Sequence, residues 1–365
     1  MSSQFVLKPL FNRTVKSVLG ASFVDFWAAE LGSDQRVERT IARVVARWME
    51  TADTVTLVLQ PNSNFPGFQA GQHINLTVEV DGVRHTRSYS FSEAPSSAGL
   101  IAITVKRVPG GRVSNHLVDS VQVGDRLELA SPFGDMVLPV LKGDEKFLFL
   151  AAGSGITPLM SMIRELAKQG MPADVVLMYW ARSREDLIFG KELQELAARH
   201  PRLRVQPVVE QAPAEPAGEL MGRPSQEQFA ATVADLSERA VFVCGPTGFM
   251  KAVAAICEEK AAAFHAEAFT PPVFVPTETA AMVKLTLSKS RREITVPGGM
   301  PLLDALEAQG IKPRSGCRMG ICNTCACGKS GGVTRNLLDN SVSVDDTASL
   351  RICVSVAVGD LTLDL

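Results

Sequence analysis

The chain has 365 residues, beyond the length at which one hydrophobic core keeps growing, so several domains are expected. Hydrophobic residues make up 46% and charged residues 21%, which excludes a disordered chain, and a formal net charge of -2 gives no electrostatic ground for a nucleic-acid partner. Seven cysteines are an odd number without the spacing of a secreted disulfide framework, and no run reaches the ~18 apolar residues of a membrane span, so a cytoplasmic setting without export is expected.

Residues 1–36 form an N-terminal extension. Phe5, Phe11, Phe23, Phe26 and Trp27 belong to a discontinuous apolar set, with Lys8, Arg13 and Lys16 towards one end. That composition suits a helix lying on a membrane surface. It suits equally a segment packed on the domain that follows, and the residues leave both readings open.

From Val37 the stretches TIARVVARWME, DTVTLVLQP, QHINLTVEV, TRSYSFSEA, LIAITVKRV and DRLELASP read as short strands separated by Gly, Pro, Asp and Asn turns. Six strands at this spacing predict an antiparallel β-barrel over 37–140. The fourth contains Arg87-Ser88-Tyr89-Ser90, and further on comes Gly110-Gly111-Arg112-Val113-Ser114-Asn115, a turn able to aim amides at a phosphate. These motifs resemble the R-x-Y-S strand and second phosphate turn of the ferredoxin-NADP reductase superfamily. The resemblance implies that Arg87 holds a flavin pyrophosphate, that Tyr89 lies against the isoalloxazine, and that Ser90 hydrogen-bonds near its reactive nitrogen. Ser88 belongs to the same motif, and Gly111, Arg112, Val113 and Ser114 to the second phosphate contact. Guanidinium, aromatic face and hydroxyl each suit the part assigned. The form GGRVSNHL followed by VGDRLELASPFG resembles the FAD branch rather than the FMN branch. His116 reads as a surface histidine near a helix start.

After Lys146 buried strands alternate with helical sequence, which predicts an α/β doubly wound parallel sheet over 141–270. Gly153-Ser154-Gly155-Ile156-Thr157-Pro158 joins strand to helix, so Gly153, Gly155, Thr157 and Pro158 are expected against a dinucleotide pyrophosphate. Cys244-Gly245-Pro246 ends a later strand. In an isolated setting Cys244 would be a buried apolar thiol; the resemblance implies that it approaches and orients the nicotinamide. Glu267 and Phe269 in HAEAF match the motif that closes this domain in the family, near the flavin, where Phe269 would shield the ring; an exposed helix end would carry Glu as readily. Ser90, Cys244 and Glu267 are thus the candidates for catalytic roles. Arg182-Ser183-Arg184 supply the cations and hydroxyl that suit a 2′-phosphate, which favours NADPH, while Glu185 and Asp186 leave NADH open.

The Pro-rich stretch PPVFVPTETA marks a linker, 271–281. Residues 282–365 begin with a hairpin pattern and a short helix, then reach SGCRMGICNTCACG. Cys317, Cys322 and Cys325 have the spacing C-x4-C-x2-C, and Cys353 follows after 27 residues. This is the plant-type [2Fe–2S] ligand pattern. Gly316, Gly320 and Gly328 are expected to let the backbone close around a cluster. A structural zinc site would show paired C-x2-C knuckles, and a redox thiol pair would open a helix after a strand; neither pattern is met. Cys327 falls outside the ligand spacing and reads as a small buried residue. The segment resembles a plant-type ferredoxin with a β-grasp, α+β fold, yet it carries ten Lys or Arg against eight Asp or Glu. Lys312, Arg314 and Arg318 flank the loop, either as a docking rim for an acidic surface or as solvated charge.

The order barrel, nucleotide domain, ferredoxin resembles the single-chain oxygenase reductases, such as those of phenylacetyl-CoA epoxidase and of acyl-CoA desaturases. The resemblance implies an NAD(P)H:acceptor oxidoreductase in which a hydride from NAD(P)H reaches FAD and single electrons leave through the [2Fe–2S] cluster to a partner oxygenase. A membrane di-iron fatty acyl desaturase or hydroxylase is the first reading of that partner, with peripheral membrane contact through residues 1–36. A soluble ring-modifying mono- or dioxygenase is the second. A non-catalytic metal-binding or redox-sensing protein is the third, and it predicts no bound flavin.

Overall fold

The computed structural model describes Asp25, Trp27, Ser33, Asp34 and residues 36–211, 220–269 and 281–365 apart from Ile321 and Asp339. The expectations for the N-terminal apolar set, Trp27 apart, and for the linker 271–280 fall outside the described residues. Two compact units emerge: one runs to Gly143 and takes in Thr157–Ala173 and Arg184–Arg202, the other comprises Asp144–Ile156, Asp174–Ser183 and Leu203–Leu365.

In the first unit, β1 (Thr40–Thr51), β2 (Thr54–Pro61), β3 (His73–Val80), β4 (Val83–Ser90), β5 (Ile101–Lys106) and β6 (Arg126–Leu129) form one sheet in the order β4-β3-β6-β1-β2-β5. All pairings are antiparallel. Just beyond β4, Phe91 bridges Ile103 of β5, and the Ser92 amide donates to the Ala102 carbonyl at 2.9 Å. The two edge strands of the sheet therefore meet, which removes the open edges. Alternate residues of β2 and β5, Leu57, Leu59, Ile103 and Val105 among them, fill the barrel core together with Val113 and Leu117 of α1 (Arg112–Asp119). The opposite face of these strands is polar but also buried, so its hydroxyls satisfy one another: Thr56 to Thr104 at 2.8 Å and Ser92 to Thr104 at 2.9 Å.

One helix of the same unit leans on the segment that follows β4, and a second braces the first. From α2 (Ile156–Lys168), Ser161 donates to the Glu93 carbonyl at 2.7 Å and Arg164 to the Ser92 carbonyl at 2.5 Å. Arg164 also forms a two-pronged pair with Glu192 of α3 (Gly190–Arg199), at 2.9 and 2.6 Å.

The second unit contains a six-stranded parallel sheet built from β7 (Lys146–Ala152), β8 (Asp174–Ala181), β9 (Leu203–Val209), β10 (Leu220–Met221), β11 (Ala240–Gly245) and β12 (Ala263–Ala268), ordered β10-β9-β8-β7-β11-β12. KFLFLAA and DVVLMYWA are almost continuously apolar because β7 and β8 are buried along nearly their whole length. Between β10 and β11, α4 (Gln226–Thr232) starts at a capping box of Ser225 and Gln228; α5 (Thr247–Cys257) separates β11 from β12. HAEA of the HAEAF stretch is strand, not a helix end: β12 pairs in parallel with β11 throughout its length, and Phe269 follows it.

Residues 281–365 of this unit hold β13 (Met282–Leu287), β14 (Arg292–Pro297), α6 (Leu302–Ala308), β15 (Ala326–Lys329), β16 (Thr334–Asn336), β17 (Val342–Ser343), β18 (Thr347–Arg351), β19 (Ser355–Ala357) and β20 (Leu361–Leu363). The expected hairpin is β13–β14, and the terminal strand β20 inserts beside β13 in parallel and beside β15 antiparallel. Leu302, Leu303 and Leu306 of α6 cover the apolar face of this sheet. Cys327 lies in the same core, as expected.

Candidate functional site

In the barrel, the motif on β4 is positioned by its register with β3, which sets Leu76 opposite Arg87, Asn75 opposite Ser88, Ile74 opposite Tyr89 and His73 opposite Ser90. Arg87 is exposed, Ser88 and Tyr89 are half-buried, and Ser90 is buried. The Ser88 hydroxyl is held at 2.5 Å by the buried Asn75 side chain, a partner that the motif itself does not reveal. Burial pushes the Tyr89 phenol well above its ordinary value, so the ring is a neutral aromatic face. His73 is buried against the Phe133 ring, and burial lowers it to about 3, which keeps it neutral. The Ser90 hydroxyl is buried with no hydrogen-bond partner among the described residues. A lone buried hydroxyl is costly unless a ligand satisfies it, so the site fits a group with a polar ring atom at that position.

The second motif sits at the N-terminus of α1, where Gly111 occupies the N-cap and no side chain caps the helix. Its first amides lack a side-chain partner, the condition under which a helix end accepts an anion. Gly110 has φ +71°, and a Cβ on Gly111 would come within 2.5 Å of Ser114 Oγ. Both glycines are thus required for the turn. Ser114 is already engaged, accepting from the Val108 amide at 3.2 Å, and the Val113 side chain lies in the barrel core. The Ser114 hydroxyl stays at the turn and can still donate its own proton, the Val113 side chain is withdrawn into the core, and the Arg112 side chain is exposed. His116 is half-buried in the last turn of α1, not at its start.

In the parallel sheet the chain leaves β7 in one direction, towards β8, β9 and β10, and returns on its other side as β11 and β12. The C-terminal ends of β7 and β11 therefore flank a topological switch point, where ligands settle in open α/β sheets. Gly153–Gly155 follows β7 and Cys244-Gly245-Pro246 ends β11. A Cβ on Gly155 would lie 2.1 Å from the Cys244 carbonyl oxygen, so the two motifs are in backbone contact that only glycine permits. Gly153 has φ +54°, and its carbonyl accepts from the Tyr179 hydroxyl at 3.0 Å. Thr157 and Pro158 are buried in the first turn of α2.

Register places Glu267 beside Cys244. Both are buried, and burial first, then the Glu267 charge, pushes the Cys244 thiol well above its ordinary value. Cys244 is consequently a neutral thiol, suited to contact and orientation rather than to nucleophilic attack. Phe269 follows β12 and is half-buried. Thr247, at the start of α5, has a buried hydroxyl without a partner among the described residues; its place directly after Cys-Gly-Pro was the available sequence signal. Arg182 and Arg184 are exposed and Ser183 is half-buried in the turn after β8.

The four cysteines of the ligand pattern come together as two pairs. The Cys317 thiol bonds Cys322, and the Cys353 thiol bonds Cys325; these contacts are the largest influences lowering Cys322 and Cys325 below the ordinary thiol value. Their partners Cys317 and Cys353 are correspondingly raised. Backbone amides converge on the same sulfurs: Met319 and Cys322 donate to Cys317 Sγ at 3.3 and 3.4 Å, and Cys317 to Cys322 Sγ at 3.2 Å. Two pairs of thiols wrapped in amides fit a binuclear iron cluster, which takes two thiolates on each iron. Gly316 makes the wrapping possible, since a Cβ there would lie 2.8 Å from Cys322 Sγ and 2.9 Å from Thr324 Oγ1. Gly320 has φ +76°, but Gly328 answers to something else: its missing Cβ leaves room for the Asp364 carboxylate.

Arg318 differs from its expected place in a docking rim. Its guanidinium is turned back on α6, 3.2 Å from Asp304 and 2.5 Å from Glu307, so it ties the loop to the helix. Lys312 and Arg314 remain exposed, with no ion pair among the described residues.

Comparison with known proteins gives three family models in succession: an oxidoreductase FAD-binding domain over residues 42–138, an oxidoreductase NAD-binding domain over 149–255 and a 2Fe-2S iron-sulfur cluster binding domain over 285–358. An NADPH oxidoreductase of Mycobacterium tuberculosis is 35% identical over 329 residues, 88% of this chain and 83% of that one. The glycine betaine monooxygenase reductase subunit of Pseudomonas aeruginosa is 32% identical over 353 residues, 89% of this chain and 95% of that one. Among solved structures, phthalate dioxygenase reductase shares the fold with a TM-score of 0.59 and 23% identity, over 90% of this chain and 98% of that chain.

Proposed function

We propose that this chain, which belongs to the ferredoxin-NADP reductase-type family of single-chain FAD/NAD/[2Fe–2S] oxygenase reductases, passes electrons from NADPH to a terminal oxygenase. It is an oxidoreductase with domains for FAD, a pyridine nucleotide and a [2Fe–2S] cluster. When bound, these groups turn the two electrons of a hydride into single-electron deliveries. The observation that carries the reading is the presence of all three binding domains, in that order, in one chain.

The chain's own residues act by binding, orienting and excluding water. Arg87 and the uncapped N-terminus of α1 offer positive charge to the flavin pyrophosphate. Ser90 offers a buried hydroxyl to the ring, and Tyr89 a neutral face. The neutral Cys244 thiol lies beside the buried Glu267, where the two would border the nicotinamide. The glycine turn at Gly153–Gly155 leaves room for a pyrophosphate at the head of α2. NADPH over NADH is supported by Arg182 and Arg184 and by the similarity to an NADPH oxidoreductase.

For the acceptor, the basic and apolar composition of residues 1–36 favours a membrane di-iron fatty acyl desaturase or hydroxylase. The second reading is a soluble ring-modifying mono- or dioxygenase, and the similarity to the ferredoxin reductase component of a 3-ketosteroid-9-alpha-monooxygenase supports a ring-modifying acceptor. The test is cluster reoxidation after NADPH reduction, with the full chain and with a chain lacking residues 1–32. Faster reoxidation by a vesicle-embedded desaturase, lost on deletion, is the expected result. Turnover with a soluble oxygenase alone, indifferent to the deletion, would overturn the membrane reading and leave the second.

A further inference from the structure

The cysteines of the ligand pattern come from two places in the chain: the loop with Cys317, Cys322 and Cys325, and the residues just after β18, where Cys353 lies. Arg351, the last residue of β18, stands where these places meet. It precedes Cys353 by two positions, and its register with β15 sets it opposite Ala326, the neighbour of Cys325. Its guanidinium crosses to the loop, where Nη1 donates to the Gly320 carbonyl at 2.5 Å. Gly320 lies between Cys317 and Cys322, and a Cβ there would come within 2.8 Å of Val354, the residue after Cys353. The loop is thus pressed against the segment that carries the fourth cysteine, and Arg351 ties the two together. Its side chain is half-buried and has no ion pair among the described residues. Arg318, the other arginine held at the loop, faces Asp304 and Glu307. Arg351 is therefore the one whose charge no carboxylate offsets.

We propose that Arg351 is a positioning residue for the [2Fe–2S] cluster and raises its reduction potential. Four thiolates make such a cluster negative and reduction adds to that charge, so a fixed cation beside the ligand loop favours the reduced form. The bond to the Gly320 carbonyl holds the loop in place, and the amides of Cys317, Met319 and Cys322, on either side of Gly320, stay aimed at the sulfurs. Both effects act in the same sense and make the cluster a better acceptor for an electron from the flavin. The inference rests on the four-cysteine ligand set given above.

The test is the midpoint potential of the cluster in the full chain, read by electron paramagnetic resonance in a mediated dithionite titration, with iron and labile sulfide measured in every sample. Arg351→Lys keeps a charge and a donor and should stay near the wild type. Arg351→Gln keeps a donor without the charge. At a fixed potential its ratio of reduced to oxidised cluster should fall about tenfold, a lowering of about 59 mV for a one-electron couple. Arg351→Met, with neither, should also lose iron to a chelator faster. Arg314→Met removes an exposed cation near the same loop and should shift the midpoint far less, because solvent and salt screen that charge. An unchanged midpoint in fully loaded Arg351→Gln protein, an equal lowering in Arg314→Met, or loss of the cluster from the Lys and Gln variants alike would each overturn the inference while the ligand set stands. A reconstituted wild type without a [2Fe–2S] signal would overturn the ligand set, and the inference with it.

Discussion

Ser90 and Gly316 are positions where one atom, present or missing, sets what the site can hold. The Ser90 hydroxyl is buried without a partner among the described residues, and such a group costs about 1–3 kcal/mol until something satisfies it. Ser90→Ala should therefore leave the flavin-free protein as stable as the wild type or more so, while slowing flavin reduction by NADPH. Equal losses in both measurements would reduce Ser90 to a packing residue. At Gly316 the missing atom matters: alanine would put a Cβ 2.8 Å from Cys322 Sγ. Gly316→Ala protein should retain iron and labile sulfide about 10- to 100-fold more weakly, with its flavin content intact. Full cluster occupancy in that variant would show that the loop closes in some other way. The ligand spacing was legible from sequence because one loop supplies three of the cysteines. The restraint on Arg318 was not, since Asp304 and Glu307 meet it only once α6 and the loop have folded together.

At the scale of elements, the parallel sheet keeps the proposed nucleotide site and its charged bracing at opposite ends. The glycine turn, Cys244 and Glu267 gather at the C-terminal ends of β7, β11 and β12. At the other end Arg239, 1% accessible, bonds Asp235 at 2.7 Å, Asp174 at 3.0 Å and the Phe147 carbonyl at 3.1 Å. Arg239→Met should cost about 2–4 kcal/mol, less than a fully buried pair because both carboxylates keep some contact with water, and should leave the KM for nucleotide unchanged. The Arg239 hydrogen bond is the largest cause holding Asp235 at about 2. A carboxylate depressed on folding stabilises fully above its unfolded value and loses that contribution as pH falls through its folded one. The difference between Arg239→Met and wild type in urea denaturation should thus be flat near neutrality and shrink from about pH 4 towards 2. A difference that grows in that window would contradict the assignment. The barrel strands were readable because period-two patterns and turn residues mark them. The register that sets Glu267 beside Cys244, and the bridge from Phe91 to Ile103, arise between distant segments and leave no local pattern.

For the whole molecule, one chain carries every binding domain needed between nucleotide and cluster. An electron entering as hydride therefore has an exit without a separate ferredoxin, and the remaining choice of acceptor falls to surfaces rather than to chemistry. Lys312 and Arg314 are exposed in the approach to the cluster loop, whereas Arg318 is tied to α6. The measurement that bears most directly on the account is an anaerobic titration of the purified protein with NADPH, following flavin absorbance optically and the reduced cluster by electron paramagnetic resonance. The account predicts that the flavin bleaches and that a reduced [2Fe–2S] signal follows within the same titration. Bleaching of the flavin in protein that contains iron and sulfide, with no cluster signal, would contradict it.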